Sequence, residues 1–304
     1  VGSLRAENLS KIYSGKIALS PTDFEIPKNR ITGLLGRNGA GKTTVLRILT
    51  GFLKPDSGNV FWNGLPLENN PIEFKKNLGY LPESAPIYPD MTVSETLDFL
   101  GKARGIEGEN LRRRRKEVLE ICDLRSDLHT LAGVLSRGTR QRLALAGALI
   151  HDPEILVLDE PSSGLDPLQV SQFRSTIRNL AKDKILLFSS HILSEVEELC
   201  EHVLVLHNGN LIADRPVSDW KGKDTVLLRA RTDIRTLERK FTGTDLKISL
   251  ASESDSDREF KLESESMKPE EIFEILRSGS FSIIEYKIAR KSLESAFQDW
   301  TGNP

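Results

Sequence analysis

The apolar positions of this chain fall into two spacings, and the changes from one to the other predict its elements. From Arg30 to Leu35 the run is made apolar by Ile31, Leu34 and Leu35, which predicts a strand. After a glycine-rich interval Val45, Leu46, Leu49 and Phe52 return at helical spacing, with Gly51 as the stop. Upstream, Leu4 to Leu9 and Thr22 to Ile26 read as short strands. Val60 to Leu67 carries Asn-Gly at its centre and predicts a hairpin, an antiparallel flank beside the main sheet. Pro71 to Leu78 reads as a short helix, Gly79 to Leu81 as a strand end, and Pro82 to Asp90 as a loop punctuated by proline. Thr92, Ser94 and Glu95 open a helix with Val93, Leu97 and Leu100 on one face and Phe99 beside it, and Asn110 to Cys122 predicts another. Leu135 to Arg142 leads into a helix whose Leu143, Ala144, Ala146, Gly147, Leu149 and Ile150 make a small apolar surface, stopped by Pro153. Ile155 to Leu158 and Ile185 to Phe188 are continuous apolar runs, as strands buried on both faces of a parallel sheet require. Ser163 to Pro167 is a turn before a further helix.

Past Trp220 the pattern changes. Asp224 to Arg231, Leu246 to Leu250, Glu259 to Leu262 and Phe281 to Ile288 predict strands. Ile272, Ile275 and Leu276 fall on one helix, and Ala251 to Asp257 reads as an exposed polar loop. Strand, helix, strand, strand, helix, strand is a ferredoxin-like order, here closed by a helix from Ser292 to Trp300. The expected fold is therefore α/β, with a parallel core sheet and an antiparallel flank at 1–218 and a small α+β domain at 219–304.

With 304 residues the chain is long enough for both. A formal net charge of −2 argues against a surface built throughout for nucleic acid. Two cysteines far apart, Cys122 and Cys200, form no disulfide framework or zinc site and point to a reducing compartment. No apolar run approaches the roughly 20 residues that span a bilayer, and Val1 to Tyr13 lack the layout of a signal peptide. The basic run Arg112 to Lys116 is either a solvated helix face or a contact for an acidic or membrane-proximal partner.

The chemistry concentrates at the ends of the predicted core strands. Gly36 to Thr44 satisfies G-x-x-x-x-G-K-[ST] between a strand and a helix. Its glycines allow backbone N–H groups to close around phosphate oxygens, the helix N-terminus adds a favourable dipole, Lys42 reaches outer phosphates and Thr43 offers a hydroxyl to Mg2+. Asp159 and Glu160 are adjacent carboxylates at the end of a buried strand, where open α/β sheets place ligand chemistry. His191 ends the next core strand, as a structural histidine or as a second group over the same site. Tyr13 is either an ordinary strand aromatic or a stacking platform for a base.

Taken together, Gly36 to Thr44, Leu135 to Gln141, the Asp159-Glu160 strand, Ser163 to Asp166 and His191 closely resemble the ATP-binding subunits of ABC transporters, over Leu4 to about Asp214. In the family's terms these are the Walker A loop, the signature, Walker B, the D-loop and the switch histidine. Tyr80-Leu81-Pro82-Glu83 and the later half of the chain resemble the ABC-2 type export and gliding-motility group. The resemblance implies that Tyr13 stacks on adenine and that Asn38, Gly39, Ala40, Gly41, Lys42, Thr43 and Thr44 hold ATP. Thr43, Asp159 and Glu83 would hold Mg2+, Glu160 would activate water, and His191 would contact the γ-phosphate. Ser136 and Gly138 would close over the nucleotide of a second copy, so that two subunits sandwich two ATP. It further implies an integral-membrane permease as partner, a peripheral place on the cytoplasmic face of the membrane, no nucleic acid, and a C-terminal domain for dimer contact or regulation. Three positions depart from the family: Arg137 and Thr139 within the signature, and Glu83 where a glutamine is usual. The alternative reading is a soluble ABC ATPase acting on nucleic acid or the ribosome; a nucleoside kinase or GTPase would share the phosphate loop but has no need of Leu135 to Gln141.

Overall fold

The computed structural model describes residues 2–84, 86–220, 225–254, 257–264, 266–279, 281–289 and 297. The chain divides into two compact units, Val1–Val217 and Ser218–Pro304.

The first unit begins with a hairpin, β1 (Ser3–Tyr13) and β2 (Lys16–Pro27), followed by β3 (Arg30–Leu35) and α1 (Lys42–Leu49). Next come β4 (Ser57–Trp62), β5 (Leu65–Pro66), α2 (Pro71–Lys76) and β6 (Leu78–Leu81). Three helices, α3 (Val93–Ala103), α4 (Gly108–Ile121) and α5 (Arg137–Leu149), precede β7 (Ile155–Asp159). The unit then runs through α6 (Pro167–Leu180), β8 (Ile185–Ser190), α7 (Leu193–Leu199), β9 (His202–His207) and β10 (Asn210–Pro216). Strands pair in the orders β2-β1-β4-β5 and β10-β9-β3-β8-β7-β6. The first sheet is antiparallel; the second is parallel except for β10 against β9.

Helix α1 lies in the apolar cluster shared by both sheets. Its Val45, Leu46, Ile48 and Leu49 are at most 2% exposed, among Leu4, Leu19, Ile26, Val157 and Leu187. At about 1.5 to 3 kcal/mol for each such side chain, this burial anchors the helix that carries the phosphate loop. Phe52, expected on the same face, lies past the end of α1 and is exposed. Every residue of β7 and β8 is buried, as their unbroken apolar runs require. Thr92 caps α3 reciprocally with Glu95, and Asp166 does the same for α6 with Gln169.

Some expected boundaries move. Strands β1 and β2 extend beyond Leu9 and before Thr22, because their ends pair across the Ser14-Gly15 turn where few side chains are buried. Leu78 starts β6 rather than ending the preceding helix. The basic run on α4 is only partly a solvated face. Arg114 turns inward to the carbonyl oxygens of Leu149 and Ile150 and to Glu117, and Arg115 bonds Ser94 at 3.0 Å and Asp98. His151, just past α5, donates from Nε2 to the Leu78 carbonyl of β6 at 3.0 Å. Burial, followed by the Arg104 and Arg114 charges, lowers its pKa to about 4.

The second unit runs β11 (Thr225–Arg231), α8 (Ile234–Lys240), β12 (Lys247–Glu253), β13 (Arg258–Glu263), α9 (Pro269–Arg277) and β14 (Ser282–Ala289). Its antiparallel sheet has the order β12-β13-β11-β14. Val226, Leu228, Phe260 and Leu262 alternate onto one face and meet Leu237 of α8 and Ile272 and Leu276 of α9. Ala251 to Glu253, expected in a loop, continues β12 as an exposed edge paired with Arg258 and Glu259. The closing helix expected from Ser292 to Trp300 lies outside the described residues, apart from Phe297.

Candidate active site

Because β3, β7 and β8 are parallel and nearly in register, with Leu35 beside Ser190 and Asp159 beside Ser189, their C-terminal ends lie side by side. Each end carries one part of the site: the phosphate loop, the acidic pair and His191. These parts line a cleft of about 440 Å3 with Tyr13, Lys42, Thr43 and Glu83. A larger cavity of about 550 Å3, around Cys122, Arg142 and Lys184, contains none of them, so size does not locate the chemistry.

In the phosphate loop Gly39 has φ +81° and Gly41 φ +109°. A Cβ on Gly41 would stand 2.6 Å from the Ala18 carbonyl oxygen, so only glycine fits there. Gly41 is also the residue before α1 and supplies no side-chain cap, which leaves the first N–H groups of that helix for an anion. Lys42 is 8% exposed; its ammonium donates to the Gly36 carbonyl at 2.7 Å and pairs with Glu160 Oε1 at 3.3 Å.

Glu160 holds the centre. Its other oxygen meets His191 Nδ1 at 2.6 Å, its N–H donates to Ser189 Oγ at 3.0 Å, and its φ of +46° is a left-handed backbone at a non-glycine residue. The Ser189 hydroxyl in turn donates to Asp159 at 2.7 Å. Burial, with the negative charges of Glu160 and Glu83, raises the Asp159 pKa from its ordinary value against the lowering effect of Ser189 and Lys42. Crowded carboxylates beside the Thr43 hydroxyl suit a hard cation. Among the described residues no cluster of three acidic, histidine or cysteine ligands forms an all-protein cage. The hard oxygens of Thr43, Glu83 and Asp159, which line the same cleft, are of the kind that would hold a Mg2+ through one or two carboxylates together with substrate phosphates.

The other expected residues separate into those that reach the cleft and those that do not. Tyr13, 43% exposed, stands at the mouth with the Lys11 ammonium 5.8 Å from its ring centre. Asn38 and Thr44 line the cleft, whereas Ala40 is buried and its carbonyl accepts from Gly209 N. Glu83 is exposed. Ser136 and Gly138 do not line the cleft. Ser136 caps α5 through Thr139 N at 3.1 Å, and Gly138 packs against the Gln169 side chain. Arg137 lies over Gly164, whose φ is +72°. Arg37 of the phosphate loop lines the cleft, and so do Lys16, Ile17 and Ala18, which the sequence did not mark as site residues. The Ser14-Gly15 turn dipeptide, which brings the start of β2 back beside Tyr13, is the sequence signal for the three β2 residues.

The ABC transporter family profile matches residues 19–163. The bacitracin transport ATP-binding protein BcrA of Bacillus licheniformis is 38% identical over 223 residues, 73% of this chain and 72% of that protein. The ABC transporter ATP-binding protein YhaQ of Bacillus subtilis (strain 168) is 31% identical, and the alignment covers 98% of both chains. The chain belongs to the ABC transporter ATP-binding family. A solved ATP-binding subunit of an ABC transporter superposes with a TM-score of 0.65 and 29% identity, covering 72% of this chain and 91% of that one. The cassette is thus an ATPase of a transport system. No helix of its described residues is long and apolar enough to cross a membrane.

Proposed function

We propose that this ABC ATPase binds MgATP in the cleft of its first unit, closes with a second copy around two ATP, and drives a separate integral-membrane permease in export. The observation that carries the reading is that Lys42, Asp159, Glu160 and His191 line one cleft, whereas Ser136 and Gly138 of the same chain lie outside it. A second subunit is then the natural recipient of Ser136 and Gly138.

In this reading the phosphate loop and Lys42 hold the β- and γ-phosphates and Tyr13 carries the adenine. Thr43, Asp159 and Glu83 hold Mg2+, which neutralises charge on the phosphate oxygens when bound. Glu160 accepts a proton from the attacking water as its oxygen bonds to the γ-phosphorus and the bond to ADP breaks, and His191 donates to the γ-phosphate. Glu160 must leave Lys42 to do so, and phosphate oxygens are the competing partner for that ammonium.

An apolar surface beside the Glu83 loop supports a permease partner at the membrane face. Tyr88 and Phe99 are 42% and 43% exposed with their rings edge to face at 5.2 Å. Val134, 73% exposed, follows Gly133, whose N–H bonds the Pro89 carbonyl. Export is supported by the resemblance of Tyr80 to Glu83 and of the later half to the export group. Residues 219–304 are assigned to dimer contact or regulation.

Glu160→Gln tests the reading. The amide keeps the shape but cannot take the proton, so ATP binding should persist while turnover falls about 10²- to 10⁴-fold. Size-exclusion chromatography of that variant with ATP should give a dimer. Unchanged turnover would remove Glu160 from the reaction, and a monomer with ATP, both alone and with the permease, would remove the sandwich.

A further inference from the structure

Glu195 lies on α7, outside the cleft, and is 4% exposed. Two hydroxyls donate to the same carboxylate oxygen, Oε2: Ser162 at 2.7 Å and Ser190 at 2.8 Å. Ser162 follows Glu160 by two residues. Ser190 immediately precedes His191. The turn between Glu160 and Ser162 departs from the positive φ of Glu160, a conformation that persists only where its surroundings hold it. An apolar side chain would pack α7 at a lower desolvation cost, so what the carboxylate supplies is this pair of bonds.

We propose that Glu195 is a positioning residue for ATP hydrolysis, whose single oxygen clamps the turn carrying Glu160 to the strand end carrying His191 and so fixes their 2.6 Å contact. The clamp acts on the base and the γ-phosphate donor and leaves the phosphate loop untouched. It rests on the roles assigned above to Glu160 and His191.

The test uses the full chain, measuring kcat, KM and the affinity for a fluorescent ATP analogue. Glu195→Ala should lower kcat about 10²-fold, the scale of a 1 Å misplacement, with nucleotide affinity unchanged. Glu195→Gln keeps a carbonyl oxygen that accepts both hydroxyls and should restore kcat close to the parent. The Ser162→Ala/Ser190→Ala variant, which retains the carboxylate, should reproduce the loss and covers the case in which Glu195→Ala fails to fold. In a His191→Ala background Glu195→Ala should cost clearly less than in the parent, because only the placing of Glu160 is left to lose, whereas a merely structural role would cost the same in both backgrounds. Parental kcat in either Glu195→Ala or the double serine variant overturns the proposal, as does a Gln variant as damaged as the Ala variant. Glu160→Gln and His191→Ala run beside them: parental kcat in these two overturns the underlying assignment, while their loss with Glu195→Ala intact overturns the clamp alone.

Discussion

His151 is half-buried and Asp159 buried, and loss of solvent moves their pKa values in opposite directions because it disfavours whichever form is charged. For His151 the folded pKa of about 4 lies below the value of about 6.5 in an unfolded chain, so between those values the unfolded state binds more protons. Its contribution is complete above pH 6.5 and is lost as pH falls toward 4. From pH 7 to pH 5 the ring should cost about 2 kcal/mol of stability. Urea titrations of the parent and His151→Gln, whose amide still donates to the Leu78 carbonyl, should show a shallower pH dependence in the variant. Parallel curves would mean the ring is solvated. Glu83 is the other informative residue, since it is exposed yet close enough to raise Asp159. Glu83→Gln should leave ATP affinity at its parental value and raise the Mg2+ concentration for half-maximal turnover several-fold, because a charged hard oxygen is lost. Superimposable Mg2+ curves would take Glu83 out of the metal site.

At the scale of elements, two glycines at positive φ give opposite expectations. Gly41→Ala would drive a methyl against the Ala18 backbone, which cannot move without β2. Nucleotide binding should be lost, with destabilisation of about 1 to 3 kcal/mol. Gly164→Ala meets only the far end of the Arg137 side chain, which can swing aside. ATP affinity should stay at the parental value and stability should fall by about 1 kcal/mol. Isothermal titration and thermal melts of both check the contrast. Strands β7 and β8 were legible for a physical reason: strands buried on both faces carry continuous apolar runs, here Ile155 to Leu158 and Ile185 to Phe188, and β3 was marked by Ile31, Leu34 and Leu35 ahead of the glycine loop. The phosphate loop, acidic pair and histidine were legible because each ends such a strand. The extension of β1 and β2, the inward turn of Arg114 and the β12 edge were not, since partners across a sheet or between helices leave no local period. Glu195 shows the same limit. Within α7 it reads as one more acidic residue, and only tertiary packing brings it to Ser162 and Ser190.

For the whole molecule, the two units have separate apolar clusters, one drawn from residues 4–211 and the other from 226–286. Every residue lining the nucleotide cleft is at or before His191. A chain ending at Ser218 should therefore remain soluble and bind ATP with parental affinity; a soluble but nucleotide-blind truncation would show that the second unit supports the site. The first unit carries a different dependence in the partners of β3. That strand pairs with residues that follow it by 155 positions, Arg30 with Ile185, and by 170, Thr32 with His202. During synthesis a strand carrying Ile31, Leu34 and Leu35 thus waits for most of its unit before either neighbour exists. Such delayed pairing is slow and exposed to aggregation. The interval between making its phosphate loop and being able to use it is therefore when the growing chain exposes this strand unpaired.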